Sequence, residues 1–265
     1  MRISVVLTLY NEERNVADLL DSLVVQEPPL EILAVDAYSK DRTVAIIKEY
    51  EKRYPTVKLL MCGGKRGKSR NYGIERATGD VVAFIDGDCI ANPFWMKEMR
   101  EAVQNGADVV AGKTIAMGLR SWEELERVEL NYKGFDLSFP SCNIAFRKEV
   151  LDEIGGFDDW FITAEDIDLN LRAVAKGHPL RFNPRMIVYH RLKSTLYGFF
   201  KQAFWNGAGR KQLTMKHGSM WTRYDPLRMF KQKMTIWSFT RLAVAMAGYL
   251  GYRLFGERGP YSKPR

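Results

Sequence analysis

Val81-Val82-Ala83-Phe84-Ile85-Asp86-Gly87-Asp88 reads as an apolar β-strand that runs directly into two carboxylates. Five consecutive apolar side chains leave no polar face, so such a strand is covered on both sides. The runs Ile3–Leu9, Ile32–Asp36, Val57–Cys62 and Val109–Ala111 share that character. Helical spacing falls between them. Val16, Leu19, Leu20, Leu23 and Val24 recur on one helix face, Val44, Ile47 and Glu49-Tyr50 follow a Ser39/Asp41 start, and Phe94–Gln104 is opened by Pro93. Doubly covered strands, each followed by a helix, imply an α/β fold with a parallel sheet and right-handed crossovers.

In sheets of this kind ligands bind beyond the carboxyl ends of the strands. Three exits there are polar: Thr8-Leu9-Tyr10-Asn11-Glu12, Asp36-Ala37-Tyr38-Ser39-Lys40-Asp41 and Asp86-Gly87-Asp88. One aspartate at a strand end is commonly a turn cap, an explanation that weakens when three exits share the feature. Asp86 and Asp88, on a loop opened by Gly87, can face a common divalent cation. Their oxygens favour Mg2+ or Mn2+, either of which would bridge and neutralise a diphosphate.

Gly63-Gly64-Lys65-Arg66-Gly67-Lys68-Ser69 approaches a P-loop but has Cys62 where the motif needs glycine. A glycine loop carrying Lys65, Arg66, Lys68 and Arg70 still suits a phosphate. Beyond Ser121 the pattern changes. Trp122–Asn131 reads as a charged amphipathic helix, followed by loops around Phe135–Ser141. Glu149–Ile154 is a short helix closed by Gly155-Gly156, and Ile167, Leu169, Leu171 and Val174 mark another that ends at Gly177. Glu165-Asp166 opens this last helix. Carboxylates in a first turn suit the helix dipole, and one of them could equally serve as a general base.

Composition bounds the rest. The 265 residues, 46% hydrophobic, make a packed globular chain with three cysteines and no CxxC pair, which argues for a reducing compartment. Arg2 and the run Ile3–Leu9 meet Asn11-Glu12-Glu13 without a cleavage site, so the start reads as a buried strand and not a targeting signal. The net charge of +8 is unevenly spread. Residues 1–190 hold 25 basic and 30 acidic side chains, whereas residues 191–265 hold 15 basic and 2 acidic.

Taken together, Thr8–Glu13, Val35–Thr43, Gly67–Ile74, Gly79–Asp88, Gly155–Asp158 and Glu165–Leu169 resemble the family 2 glycosyltransferases of GT-A fold, over roughly residues 3–210. Phe204–Arg210 further resembles the branch that builds exopolysaccharides and lipid-linked glycans. The resemblance implies a Rossmann-like, mostly parallel sheet and inverting, metal-dependent sugar transfer of hexosyltransferase type from a nucleotide-diphosphate sugar. It also implies roles. Thr8, Tyr10 and Glu12 would border the nucleoside, Asp36 the base or ribose, and Lys68, Arg70 and Asp86 the donor's phosphates. Asp86 and Asp88, completed by His190, would hold Mn2+ or Mg2+. Asp166 would be the catalytic base, with Gly156, Glu165 and Arg210 on the acceptor side. One position departs from the family: Ala37 stands where a second aspartate usually contacts the base.

The tail interleaves Phe199, Phe200, Phe204, Trp205, Trp221, Tyr224, Phe230, Trp237 and Phe239 with Lys201, Arg210, Lys211, Lys216, Arg223, Arg228, Lys231 and Lys233. Such a surface suits single-stranded nucleic acid or an anionic membrane. Beside a glycosyltransferase the membrane reading is preferred, because lipid-linked acceptors lie there. Met234–Gly256 is long enough to span a bilayer, but Arg241 and the hydroxyls of Thr235, Ser238 and Thr240 favour a helix lying in the membrane plane. Packing of the helix on its own domain or on a twin subunit is the other outcome weighed. The expected organisation is a catalytic domain over residues 1–195 and a basic helical extension over 196–265, peripheral at the cytoplasmic face. Two other functions fit less well: a sugar-phosphate nucleotidyltransferase and a non-catalytic nucleotide-sugar or lipid-binding module.

Overall fold

Strand and helix alternate from the first residues, in the order β1 (Ile3–Leu9), α1 (Val16–Val24), β2 (Leu30–Asp36), α2 (Thr43–Arg53), β3 (Val57–Met61), α3 (Arg66–Arg76) and β4 (Val81–Asp86). There follow β5 (Cys89–Ala91), α4 (Trp95–Gln104), β6 (Val109–Met117), β7 (Asn131–Tyr132), β8 (Phe135–Asp136), β9 (Ile144–Arg147), α5 (Lys148–Ile154), α6 (Glu165–Lys176), β10 (Leu180–Arg191), α7 (Leu196–His217) and α8 (Ile236–Phe255). The computed structural model describes residues 1–118, 122, 125, 127–192, 195–224, 235–257 and 259–261.

Eight strands form one sheet in the order β3-β2-β1-β4-β9-β6-β10-β5, and β7 pairs separately with β8. The first four are parallel, as is β6 with β10, whereas β9 runs antiparallel to β4 and β6, and β5 to β10. Successive side chains of a strand point to opposite faces. Ile3, Val5 and Leu7 of β1 pack with Leu19, Leu20 and Leu23 of α1 and with Trp95 and Met99 of α4. Val6, Val82 and Phe84 face the other way, toward Ile74 of α3, Leu151 of α5 and Leu171 of α6.

The structure corrects the sequence reading in three places. Residues 127–130 are not helical and Asn131–Tyr132 is a strand, so the helix expected over Trp122–Asn131 does not run its length. Arg127 is held instead by Asp136 and lies over the Phe139 ring. The glycine loop ends sooner than expected: α3 begins at Arg66, and Gly67, Arg70, Gly73 and Ile74 form its buried face. Val109–Ala111 is only the start of a strand that continues to Met117 beside β10.

Helix α7 packs into this body. Leu213 joins the second core, Gln212 binds the backbone of Trp160 and Ile162, and Thr163 donates to the Trp205 carbonyl. Helices α7 and α8 cross through glycines: Gly207 meets the Ala245 backbone, and Gly248 meets that of Phe204. Trp122 stacks on Phe199 and meets Trp237 edge-on, which closes the crossing. Arg228, Phe230, Lys231, Lys233 and Met234 lie outside the described residues. Among the described residues, no helix is long and apolar enough to cross a membrane.

Candidate active site

The first two strand exits are tied to one another. Asp36, fully buried at the end of β2, accepts hydrogen bonds from the Ser39 amide at 2.7 Å and its hydroxyl at 2.6 Å. The Asn11 amide donates to Ser39 Oγ, and Asn11 Oδ1 accepts from the Lys40 amide. Asn11 sits at φ 54°, a left-handed conformation that asparagine tolerates better than most residues. Above this buried floor two tyrosines face solvent: Tyr10 is 54% exposed and Tyr38 is 60% exposed, with the Tyr38 ring against Gly63. Exposed rings over a polar floor can stack on a planar heterocycle.

Beside them, β4 ends level with β1, with Thr8 opposite Asp86. A Cβ at Gly87 would lie 2.7 Å from a Leu9 methyl and 2.8 Å from Glu12 Cγ, so only glycine lets this turn sit against the first exit. Glu12 is held there by Asn15 Nδ2 and by its own amide on Thr43 Oγ1. Asp88 Oδ1 lies 3.3 Å from His190 Nε2, which the end of β10 delivers. Burial alone would lower the His190 pKa, but the Asp88 carboxylate outweighs it and pushes the imidazole up to about 9. That environment favours positive charge, and once a cation displaces the imidazole proton the carboxylate and imidazole donors fit Mn2+ or a similar ion.

Arg70 joins this edge to the opposite wall. It is 1% exposed, with Nη2 2.9 Å from Asp86 Oδ1 and Nη1 2.6 Å from Glu165 Oε1, and it lies over the Phe157 ring. Burial disfavours its charge, yet the two carboxylates hold it protonated more firmly than in water. Its position follows from α3, whose glycines let the helix approach the sheet: Gly73 rests on Val6 and Gly67 on the Phe157–Asp159 loop.

Glu165 and Asp166 begin α6 after Ala164, a non-glycine residue held at φ 66°. Asp166 is half-buried, accepting from its neighbour's amide at 2.8 Å and from the Ser141 amide at 3.4 Å. Burial, then the charge of Glu165, raises its pKa to about 6 against the opposing pull of Arg70 and Arg210. Asp168 on the same helix is driven the other way. Burial would raise it, but His217, Arg172 and Lys216 hold it at about 2. Asp166, at about 6, is thus the carboxylate of this helix turn that changes charge closest to neutral pH, whereas Asp168 stays ionised in its ion-pair cluster.

The structure thus gathers Thr8, Tyr10, Glu12, Asp36, Asp86, Asp88 and His190 along the strand exits and links them through Arg70 to Glu165 and Asp166. Arg210 reaches the same region from α7, where its guanidinium lies over the Tyr224 ring and donates to the Val128 carbonyl. Lys68 lies on the exposed side of α3. Gly156 shapes a turn at φ 65° where a Cβ would strike Asn71 Oδ1, and Asn71 in turn binds Phe157. Sequence reasoning missed two features. Arg70 is a buried tie, a role signalled by its place on the Gly67/Gly73/Ile74 face. The Asp168–Lys216–His217 cluster locks α7 to the helix that carries Asp166.

Comparison with known proteins agrees with this geometry. Residues 4–155 match Glycosyl transferase family 2, and residues 81–255 match Glycosyl transferase family group 2. The chain is 28% identical over 229 residues to Glycosyltransferase AglE of Haloferax volcanii, covering 80% of this chain and 74% of AglE. It is 25% identical to Probable glycosyltransferase YdaM of Bacillus subtilis, of which it spans 56%. Two solved structures share the fold. S. aureus TarS in complex with UDP-GlcNAc superposes with a TM-score of 0.64 at 18% identity, covering 97% of this chain and 76% of that one. Mannosyltransferase PcManGT from Pyrobaculum calidifontis, in complex with GDP-Man and Mn2+, gives 0.65 at 18% identity with the same coverage. The fold is therefore the GT-A fold that the sequence motifs imply.

Proposed function

The chain belongs to glycosyl transferase family 2 and is a glycosyltransferase that uses a nucleotide-sugar donor, and on that premise we propose inverting transfer to a membrane-borne acceptor with Asp166 as the base. The observation that carries this reading is the Arg70 bridge, because it holds the donor-side Asp86 and the acceptor-side Glu165-Asp166 pair in one rigid unit. Tyr10 and Tyr38 stack on the nucleoside above Asp36. Lys68, exposed on the first turn of α3, adds positive charge on the phosphate side. Asp86 and Asp88, with His190, would hold Mn2+ or Mg2+, which when bound neutralises charge on the diphosphate.

As the sugar leaves the phosphate, Asp166 takes the proton of the incoming acceptor hydroxyl. A pKa of about 6 leaves it ionised at neutral pH yet still basic enough to accept that proton. One base on one face gives inversion, since retention through a covalent intermediate would need a second carboxylate as nucleophile. Glu165 is occupied by Arg70, and Asp168 by His217, Lys216 and Arg172, so neither serves.

The acceptor reading rests on α8. Ile236, Phe239, Leu242, Met246, Leu250 and Leu254 are exposed at intervals of three and four residues, an apolar stripe about 27 Å long at 1.5 Å per residue. Arg253 borders it, and Leu196, Tyr197, Phe204 and Trp205 of α7 are also exposed. With 15 basic and 2 acidic residues over 191–265, this surface matches an anionic lipid face, with α8 lying in its plane. Residues 1–195, with the inner face of α7 packed into them, then form the catalytic body, and the outer faces of α7 and α8 within 196–265 form the membrane-facing side, at the cytoplasmic face where nucleotide sugars are made.

The test is Asp166→Asn, assayed for transfer and for nucleoside-diphosphate binding. Transfer falls by about 10²- to 10⁴-fold, the usual contribution of a general base, with nucleotide affinity retained. Equal loss of both would overturn the assignment.

A further inference from the structure

Past α8 the chain turns back onto the catalytic body. Gly256 makes the turn, where a Cβ would strike the Tyr252 carbonyl, and the Tyr252 hydroxyl donates to the Glu257 carbonyl. Gly259 then lies so close on the Trp160 indole that a Cβ would strike Nε1. The Tyr261 ring meets Trp160 edge-on, and its hydroxyl donates to Asp158 Oδ2 at 2.7 Å. The same oxygen accepts from Lys216 Nζ at 2.6 Å, and that ammonium also lies 2.8 Å from Asp168 Oδ1 on α6. Lys216 therefore staples two carboxylates whose intervening segment carries Glu165 and Asp166. The Phe161 and Tyr261 rings lie 5.4 Å and 5.1 Å from the ammonium, both within cation–π reach.

We infer that Tyr261 is a positioning residue for the transfer reaction: it closes the Lys216 staple and so fixes residues 158–164 and the aim of Asp166 beyond them. The side chains of Lys216 and Asp158 are 12% and 17% exposed, and the ring and hydroxyl of Tyr261 cover their contact. Water admitted there would screen the pair and loosen the start of the loop. Residues 157–164 form neither helix nor strand, so side chains from elsewhere hold them. Lys65 and Gln212 donate to the Trp160 carbonyl, and Asn71 donates to Asp159. At the far end Ala164 is kept at φ 66°, a left-handed conformation that a non-glycine residue holds only where the surrounding structure over-determines it. The staple supplies that constraint from both flanks, since Asp158 precedes Ala164 and Asp168 follows it. Helix α7 contributes the staple and the residues after α8 contribute its cover, so the crossing of these helices sets the catalytic turn as well as the exposed stripe.

The inference rests on reading Asp166 as the base, and the two fail on different results. In the whole chain, the carboxyl carbon of Asp166 is followed by NMR against pH, its signal assigned by its loss in Asp166→Asn. Glu165, Arg70 and Arg210 are the charged groups that act on this carboxyl, and with burial they set its wild-type midpoint at about 6. Tyr261→Ala opens the staple to water and relieves that burial, so the midpoint falls by at least about half a unit toward the ordinary carboxylate range. Amide exchange over residues 158–168 quickens at least about tenfold, while β1 and β4 keep their protection. Tyr261→Phe keeps the ring over Lys216 and loses only the bond to Asp158, and gives a smaller shift in the same direction. Gly259→Val lifts the segment off Trp160 with Tyr261 intact and reproduces the alanine result. A midpoint that stays in place while exchange quickens would reduce Tyr261 to local packing and overturn the proposal. So would exchange over residues 158–168 that Tyr261→Ala leaves unchanged. The base reading fails instead on sugar transfer retained by Asp166→Asn, whatever Tyr261 does to the wild-type carboxyl.

Discussion

The sheet edge and the α7–α8 helix pair solve opposite problems. At the edge, charge is taken out of water: Arg70, Glu165, Asp36 and Asp168 are all buried and each is met by partners of opposite charge or by hydrogen-bond donors. On α8 apolar side chains are left in water, with Leu254 and Ile236 more than half exposed. Each arrangement costs stability when the chain stands alone. A buried ion pair rarely repays its desolvation, and an uncovered apolar stripe forgoes the burial that would stabilise it. Both arrangements therefore point to function, the first to fixed electrostatics around a reaction and the second to a surface that completes the molecule.

Breaking the edge should have the largest effect. Arg70→Met leaves Asp86 and Glu165 facing each other without their shared cation, and stability falls by about 3–5 kcal/mol in a denaturant titration. A loss under about 1 kcal/mol would mean that the bridge contributes no more than a surface pair. The stripe predicts a contrast. Met246→Glu with Leu250→Glu should leave the unfolding midpoint nearly unchanged, because both side chains are already exposed. Binding to vesicles containing anionic lipid should fall by about 1 kcal/mol for each side chain, less than the cost of full burial because Met246 is 38% and Leu250 46% exposed. Unaltered vesicle binding, or self-association that the double variant abolishes, would replace the membrane with a second copy of the chain. The smallest effect is local. Gly207→Val forces a side chain into the Ala245 backbone and costs about 1–3 kcal/mol. Faster amide exchange should be confined to α7 and α8, and exchange that quickens equally in the sheet would show that the helix pair and body unfold as one unit.

Legibility in the sequence differs between the same two regions. The strands β1 and β4 are bounded to the residue because apolar runs covered on both faces leave no alternative period. The strands β5 and β9 escape such reading: at three and four residues they are too short to carry a period, and their places are set by neighbours distant in sequence. The site residues that end strands are visible because strand ends are where polar groups meet ligands. Arg70 stands out for its charge, but its burial does not. In a segment as polar as Arg66–Arg76, only the glycine spacing hints that one face turns inward. The length and the arginines of α8 can be read directly, but which face lies uncovered depends on the Gly207–Gly248 crossing, a tertiary contact.

The central claim is that Asp166, held by the Ile167 and Ser141 amides beside the Arg70-bound Glu165, accepts the acceptor's proton, and the pH dependence of kcat/KM tests it most directly. A base must be ionised to act, so its fraction in the working form falls as pH drops through its pKa. With burial and Glu165 holding that pKa at about 6, the rate should be level above neutrality and decline about tenfold per unit below pH 6, as a single ionisation. A rate that is flat from pH 7 down to 5 would contradict the account.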